Sequence, residues 1–399
     1  MGDDRRNERP STLVRRAALV EGVSRPVVTP IQPSVVYASP SIDTLHAQYE
    51  GRETGYTYAR EGHPNATLLA RKIDALEGLT EGPGGIVTGS GMAAVTAALM
   101  GILGSGDHVI GANQLYGRSL RLMNQDLARF GIATSLADPT DAEAVRAALR
   151  PETRMILVEV VSNPTLRVAD MAGIAAVARE AGVLLAVDNT FTTPRGWQAF
   201  GQGADIVIHS ITKLLAGHSD VTLGYVAARD PGLARAIYDF AVTVGVTPSP
   251  YECWLAERGL YTFALRYDRA EENAAALAEH LGRHPKVARV LYPGRADHPD
   301  RARAAALLGA RTGNMVSFEI RGDAAAADRM VRAVPQLPFA PTLGDVGTTL
   351  SHPASSSHRG LTPEGRAALG ISDGFFRVSV GIEEIELLIA DFDQGLAAV

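Results

Sequence analysis

Residues 183–213 read VLLAVDNTFTTPRGWQAFGQGADIVIHSITK, and their reading decides the fold. Two short apolar runs stand in this stretch, VLLAVDN (183–189) and DIVIHS (205–210). The first ends in Asp188, and the second leads through Ser210 and Thr212 to Lys213. Working outward, similar runs recur: GIVTG (85–89), HVIGA (108–112), IATSLA (132–137), MILVEVV (155–161) and TLGYVAA (222–228). Helical segments such as MAAVTAALMGIL, DAEAVRAALR and MAGIAAVAREAG lie between them. Strand–helix alternation with wholly apolar strands predicts a mostly parallel sheet covered on both faces. Such sheets bind ligands beyond the carboxyl ends of their strands, so Asp188 and Lys213 fall where a ligand would sit.

The flanks differ in texture. Residues 1–65 are rich in Pro, Ser, Tyr and Arg with little periodicity, and read as an extended arm. TLLARKIDALEG then shows helical spacing with Gly78 as its stop. Residues 66–259 make the α/β domain. From 260 onward, DRAEENAAALAEHLG, strand-like MVSFEI (315–320), a Gly/Ser/Pro-rich loop (341–360), FFRVSV (375–380) and a closing amphipathic helix suggest a smaller α+β domain over 260–399.

Composition narrows the function classes. The chain has 399 residues, 46% of them apolar and 21% charged, with a net charge of −6. An acidic balance argues against a nucleic-acid or anionic-membrane partner. The lone cysteine, Cys253, excludes an internal disulfide and any multi-cysteine metal site, and suits a cytoplasmic location. No apolar run reaches ~18 residues, which leaves no transmembrane helix to expect. The opening MGDDRRNERPSTLVRRAAL reads as a polar arm, not a signal peptide. The basic residues comprise 35 Arg and only 3 Lys, at positions 72, 213 and 286, so lysine chemistry has few candidates. His280 and His284 are spaced to share a helix face, but no third ligand accompanies them, so no metal is expected.

Three features converge. GSGMAA (89–94) follows a strand and opens a helix, an arrangement whose backbone amides attract phosphate. It also fits a dinucleotide fingerprint, but the next strand ends in Asn113 and Gln114 without the acid that would hold a ribose. Asp188 and Lys213 end neighbouring apolar strands. Pyridoxal phosphate needs that pair: a lysine for the Schiff base, and a carboxylate that keeps the pyridine nitrogen protonated.

HSITKLLAGHSDVTLG (209–224) resembles the lysine segment of the Cys/Met-metabolism family of pyridoxal-phosphate enzymes. YAREGHPNAT (58–67), SGMAA (90–94), LYGRS (115–119), SNPTLRVAD (162–170), VDNTF (187–191), LGDVGTTLSHPASSSH (344–358) and FFRVSVGIE (375–383) extend the likeness over about residues 25–398. The resemblance implies a fold-type-I transferase, with a large mostly parallel-sheet domain and a smaller C-terminal α+β domain. It implies that Lys213 binds the cofactor, that Asp188 pairs with the ring nitrogen, and that Gly91, Met92, Ser210 and Thr212 hold the phosphate. Tyr58 and Arg60 would reach the phosphate in a neighbouring subunit, giving a homotetramer built of dimers with shared sites. Tyr116 would stack on the ring and assist proton transfer. Asn163 and Arg377 would hold the substrate carboxylate, with Thr342 beside the lysine.

The implied reaction is γ-elimination on a γ-substituted L-amino acid such as methionine, cystathionine or another homoserine or homocysteine derivative, giving a 2-oxo acid and ammonia. The alternative is γ-replacement, as in O-acetyl- or O-succinylhomoserine sulfhydrylases and cystathionine γ-synthases. Several positions depart from the family pattern. His63, Pro64 and Asn65 replace the usual Asn-Pro-Thr, and Arg118 stands where a small residue or Cys is usual. Thr342 replaces Ser, and Gly347 replaces the Glu of lyases or the Lys of sulfhydrylases. HPASSSH (352–358) leans toward methionine γ-lyases and sulfhydrylases.

Overall fold

The computed structural model describes residues 23–399. The leading polar stretch therefore lies largely outside the described residues. Met1–Ile31 count as one unit, whose described part, 23–31, has no helix or strand, and Gln32–Val399 form a second compact unit that holds both sheets.

Each of the seven apolar runs yields a strand: β1 (Ile86–Thr88), β2 (His108–Ala112), β3 (Ala133–Ala137), β4 (Thr153–Glu159), β5 (Leu184–Asp188), β6 (Ile206–His209) and β7 (Gly224–Ala228). They make one sheet in the order β1-β7-β6-β5-β4-β2-β3, in which β7 runs opposite to the other six strands. β4 to β6 are buried almost throughout, as a sheet covered on both faces requires. β3 departs from the wholly apolar reading. It is the edge strand, without full cover, and Leu136 is exposed.

Helix Pro64–Glu77 begins and ends where its sequence dictates. Pro64 occupies the first turn, the His63 ring accepts from the Ala66 N–H at 3.2 Å, and Gly78 turns left-handed at φ 75°. That cap gives His63 a local role at one of its departures from the family pattern. Helix Gly91–Met100 packs Ala94, Ala97 and Ala98, all fully buried, so its backbone lies close to the sheet.

The second sheet is antiparallel, in the order β10-β11-β9-β8, from β8 (Val287–Leu291), β9 (Met315–Ile320), β10 (Thr349–Ser351) and β11 (Phe375–Ser379). Helices Phe263–Arg283, Ala324–Ala333 and Ile385–Ala397 accompany it. The Gly/Ser/Pro-rich loop conceals β10, whose three residues are too few to show a pattern. The arm also departs from the extended reading. Ser41 caps a helix, Ile42–Tyr49, by accepting from the Thr44 N–H at 3.1 Å.

Among the described residues no helix is long and apolar enough to cross a membrane, and no group of three His, Cys, Asp or Glu side chains could hold a metal ion. His280 instead pairs with Asp393 at 2.6 Å, and the His284 ring accepts from the Lys286 N–H. Cys253 is fully buried, and that burial pushes its thiol pKa up.

Candidate active site

A cavity of about 220 Å³ lies beyond the carboxyl ends of the parallel strands. Gly91, Met92, Tyr116, Asn163, Asp188, Ser210, Thr212, Lys213, Thr342 and Arg377 all line it, although the sequence scatters them over nearly three hundred positions. Tyr58 and Arg60 do not. They are exposed on the arm, with the Arg60 guanidinium 5.5 Å from the Tyr58 ring centre.

One wall is the start of helix Gly91–Met100. Ser90 caps it by accepting from the Ala93 N–H at 3.1 Å. Gly91 packs against the residue that follows β6: a Cβ placed there would meet the Ser210 Cβ at 2.7 Å and Oγ at 2.8 Å. Glycine is thus what lets free backbone amides and the Ser210 and Thr212 hydroxyls share one corner, a suitable seat for a phosphate. Within that corner the Thr212 hydroxyl also donates to the Leu223 carbonyl at 3.1 Å, which fixes the turn into Lys213.

Lys213 is half-buried, and its ammonium donates to the Thr342 Oγ1 at 3.4 Å. Burial, then the nearby Arg377 charge, lower its pKa below the ordinary lysine value. Arg377 reaches in from β11 of the second sheet. Its Nη1 donates to the Asn163 Oδ1 and its Nη2 to the Thr342 carbonyl, each at 2.7 Å, while its buried Nε has no partner. Burial pushes its pKa down to about 10, with Tyr116 opposing. A buried guanidinium with an unused donor is a ready seat for a carboxylate. Thr342 touches both cations, which is how the replacement for the family Ser fits.

Asp188 ends β5. Its Oδ1 accepts from the Thr190 hydroxyl at 2.5 Å and the Thr190 N–H at 3.1 Å. Burial raises its pKa, and the Thr190 bonds and the adjacent His209 oppose that. A brace that sequence reasoning missed lies behind it. The fully buried Glu77 accepts from the Asn189 Nδ2 at 2.8 Å and meets the His209 Nε2 at 2.5 Å. One carboxylate thus ties the residue after β5 to the last residue of β6, holding Asp188 and Lys213 in relation.

Glu159 was also missed. It ends β4, lines the cavity, and stands in register beside Asp188. The signal was present in MILVEVV, where a single acid interrupts an apolar run, as Asp188 does in its own. Of the departures, Arg118 is exposed and neither it nor Gly347 lines the cavity. In the HPASSSH stretch His358 is buried, which with the Arg377 charge lowers its pKa to about 4 and leaves a neutral ring.

The amide-and-hydroxyl corner, the depressed lysine and the strand-end Asp together suit pyridoxal phosphate. Residues 11–397 match the family model described as Cys/Met metabolism PLP-dependent enzyme. The chain is 37% identical to L-methionine gamma-lyase of Pseudomonas putida over 93% of each chain. It is 38% identical to O-succinylhomoserine sulfhydrylase of Pseudomonas aeruginosa, over 88% of this chain and 86% of that one. It overlays a crystal structure of cystathionine gamma synthase from Xanthomonas oryzae pv. oryzae with a TM-score of 0.87, at 38% identity and 93% coverage of both. A lyase, a sulfhydrylase and a synthase at 37–38% identity do not separate the reactions, but they agree on the fold type and the cofactor: the chain belongs to the Cys/Met-metabolism family of pyridoxal-phosphate-dependent enzymes.

Proposed function

We propose that the protein catalyses γ-elimination on a γ-substituted L-amino acid, releasing a 2-oxo acid and ammonia. The observation that carries this reading is the placement of Lys213: a half-buried amine of lowered pKa, beside Thr342 and within the field of Arg377. Pyridoxal phosphate, when bound, supplies an electron sink for negative charge developed on the substrate. Arg377, steadied by Asn163 and Thr342, would take the substrate carboxylate through its unused Nε. Lys213 would remove the Cα proton, and its flexible stem lets the same nitrogen serve Cβ. Tyr116, at the rim and partly exposed, would hand a proton to the departing γ-group. Asp188 would keep the ring nitrogen protonated, and Gly91, Met92, Ser210 and Thr212 would hold the phosphate.

The kinship with a methionine lyase supports elimination. The sulfhydrylase and synthase relatives favour a second reading, γ-replacement of an acylated homoserine by a thiol. The cytoplasm is the proposed location. Tyr58 and Arg60 would complete a neighbouring subunit's site in a tetramer of paired dimers. In support, the arm exposes Val35, Val36, Tyr49 and Tyr58 and keeps Arg60 out of its own cavity. The test incubates the cofactor-loaded enzyme with methionine, cystathionine and O-acyl homoserines, with and without an added thiol. Release of 2-oxobutyrate without thiol is expected. Thioether formed only with thiol, and no 2-oxo acid without it, would establish replacement instead.

A further inference from the structure

Two acids stand side by side in this cavity, and only Asp188 has a part in the reaction proposed above. β4 and β5 are parallel neighbours, and Glu159 is paired in register with Asp188. Glu159 is buried; its Oε1 accepts from the Tyr116 N–H at 2.7 Å, while its Oε2 is buried without a hydrogen-bond partner. Two adjacent buried carboxyls cannot both ionise without a large penalty. The donors decide which one keeps the charge. Asp188 receives a hydroxyl and an amide from Thr190, and His209 lies near it; Glu159 receives one amide. Lys213, in the turn after β6, and Arg377, on β11, are the cations of the cavity, and neither hydrogen-bonds to Glu159.

We propose that Glu159 is a positioning residue, a neutral carboxyl that anchors the backbone of Tyr116 and leaves Asp188 as the only charged carboxylate of the pair. Burial and the Asp188 charge, which together raise the Glu159 pKa well above the ordinary carboxylate value, agree with this. The consequence reaches both ends of the site. Tyr116 sits four residues beyond β2, at the start of the short helix Gly117–Arg121, and Glu159 is the side chain that ties its amide to the sheet. Asp188, relieved of a competing anion, retains its charge for the ring nitrogen.

The inference rests on the pyridoxal-phosphate reading, and wild-type protein freed of cofactor and retitrated with pyridoxal phosphate checks that reading separately. If wild type fails to rebind cofactor, the cofactor reading fails, whatever the variants do. Glu159→Gln keeps an oxygen for the Tyr116 N–H and cannot ionise. Glu159→Ala removes the oxygen and strands a buried amide. The readouts are the cofactor Kd, from fluorescence, and the pH midpoint of the bound cofactor's visible spectrum. Expected are a Kd for Glu159→Gln within about threefold of wild type with an unmoved midpoint, and a Kd for Glu159→Ala weakened roughly tenfold or more with a shifted midpoint. Loss in Glu159→Gln equal to that in Glu159→Ala would mean the charge is needed, and overturns the proposal. So would wild-type Kd and spectrum in Glu159→Ala, even with a lowered melting temperature, because the residue would then serve only the fold. If Glu159→Ala does not fold, Glu159→Gln decides alone on the same two readouts.

Discussion

Gly91→Ala adds one methyl group where the fold leaves no room for it. In most helices this change is favourable by up to about 1 kcal/mol, since alanine is the better helix former. Here the new Cβ would lie 2.7 Å from the Ser210 Cβ, 2.8 Å from its Oγ and 3.1 Å from its Cα. The Cα is backbone at the end of β6, two strands from the sheet edge at β1, and cannot swing aside as a flexible side chain would. Overpacking of this kind costs about 1–3 kcal/mol, and the backbone contact places it near the upper end. Subtracting the helix gain leaves about 2 kcal/mol against the variant. The strain falls between the helix N-terminus and Ser210, the corner assigned to the phosphate. If it is expressed in cofactor binding, it weakens affinity roughly 30-fold. The assay strips the cofactor, retitrates with pyridoxal phosphate, and compares melting temperatures of the empty proteins. A variant that melts higher than wild type and binds cofactor equally well would refute the argument, because the corner would then have room.

Lys213→Ala should abolish both the visible absorbance of bound cofactor and turnover. Lys72→Ala and Lys286→Ala should do neither, since Lys72 is paired with Glu257 and Lys286 binds carbonyls at the chain end; retained absorbance in Lys213→Ala would remove this lysine from its role. Asp188→Asn should keep some cofactor but lose at least ~10²-fold in kcat, as loss of a well-placed electrostatic group does, and near-normal kcat would make Asp188 structural. Arg60→Ala should weaken cofactor retention while circular dichroism stays unchanged. Mixing inactive Arg60→Ala and Lys213→Ala subunits should restore part of the activity, because one of the two hybrid sites would be wild type. Mixed dimers that form and stay inactive, or active protein that sediments as a monomer, would end the shared-site proposal.

The parallel sheet was legible because buried strands must be apolar along their whole length, and each of its runs announced itself. Asp188 and Lys213 were legible for the same reason reversed: a polar residue at the end of such a run is an exception that needs a cause. Glu159 obeys that rule equally well, yet it stands within its run as written, with two valines following, so the end of β4 could not be placed by composition. Glu77 gave a quieter signal. It falls four residues after Ile73 on the buried face of its helix, where the spacing calls for an apolar side chain, and its importance comes from a fold that carries it 112 positions along the chain to Asn189. The arm helix and β10 were hidden by shortness, since eight residues and three residues carry too little periodicity to outweigh a Pro- and Ser-rich setting. An acid set among buried apolar positions marks a polar group with a task, and only its partner far along the chain shows that the task is to hold another residue in place.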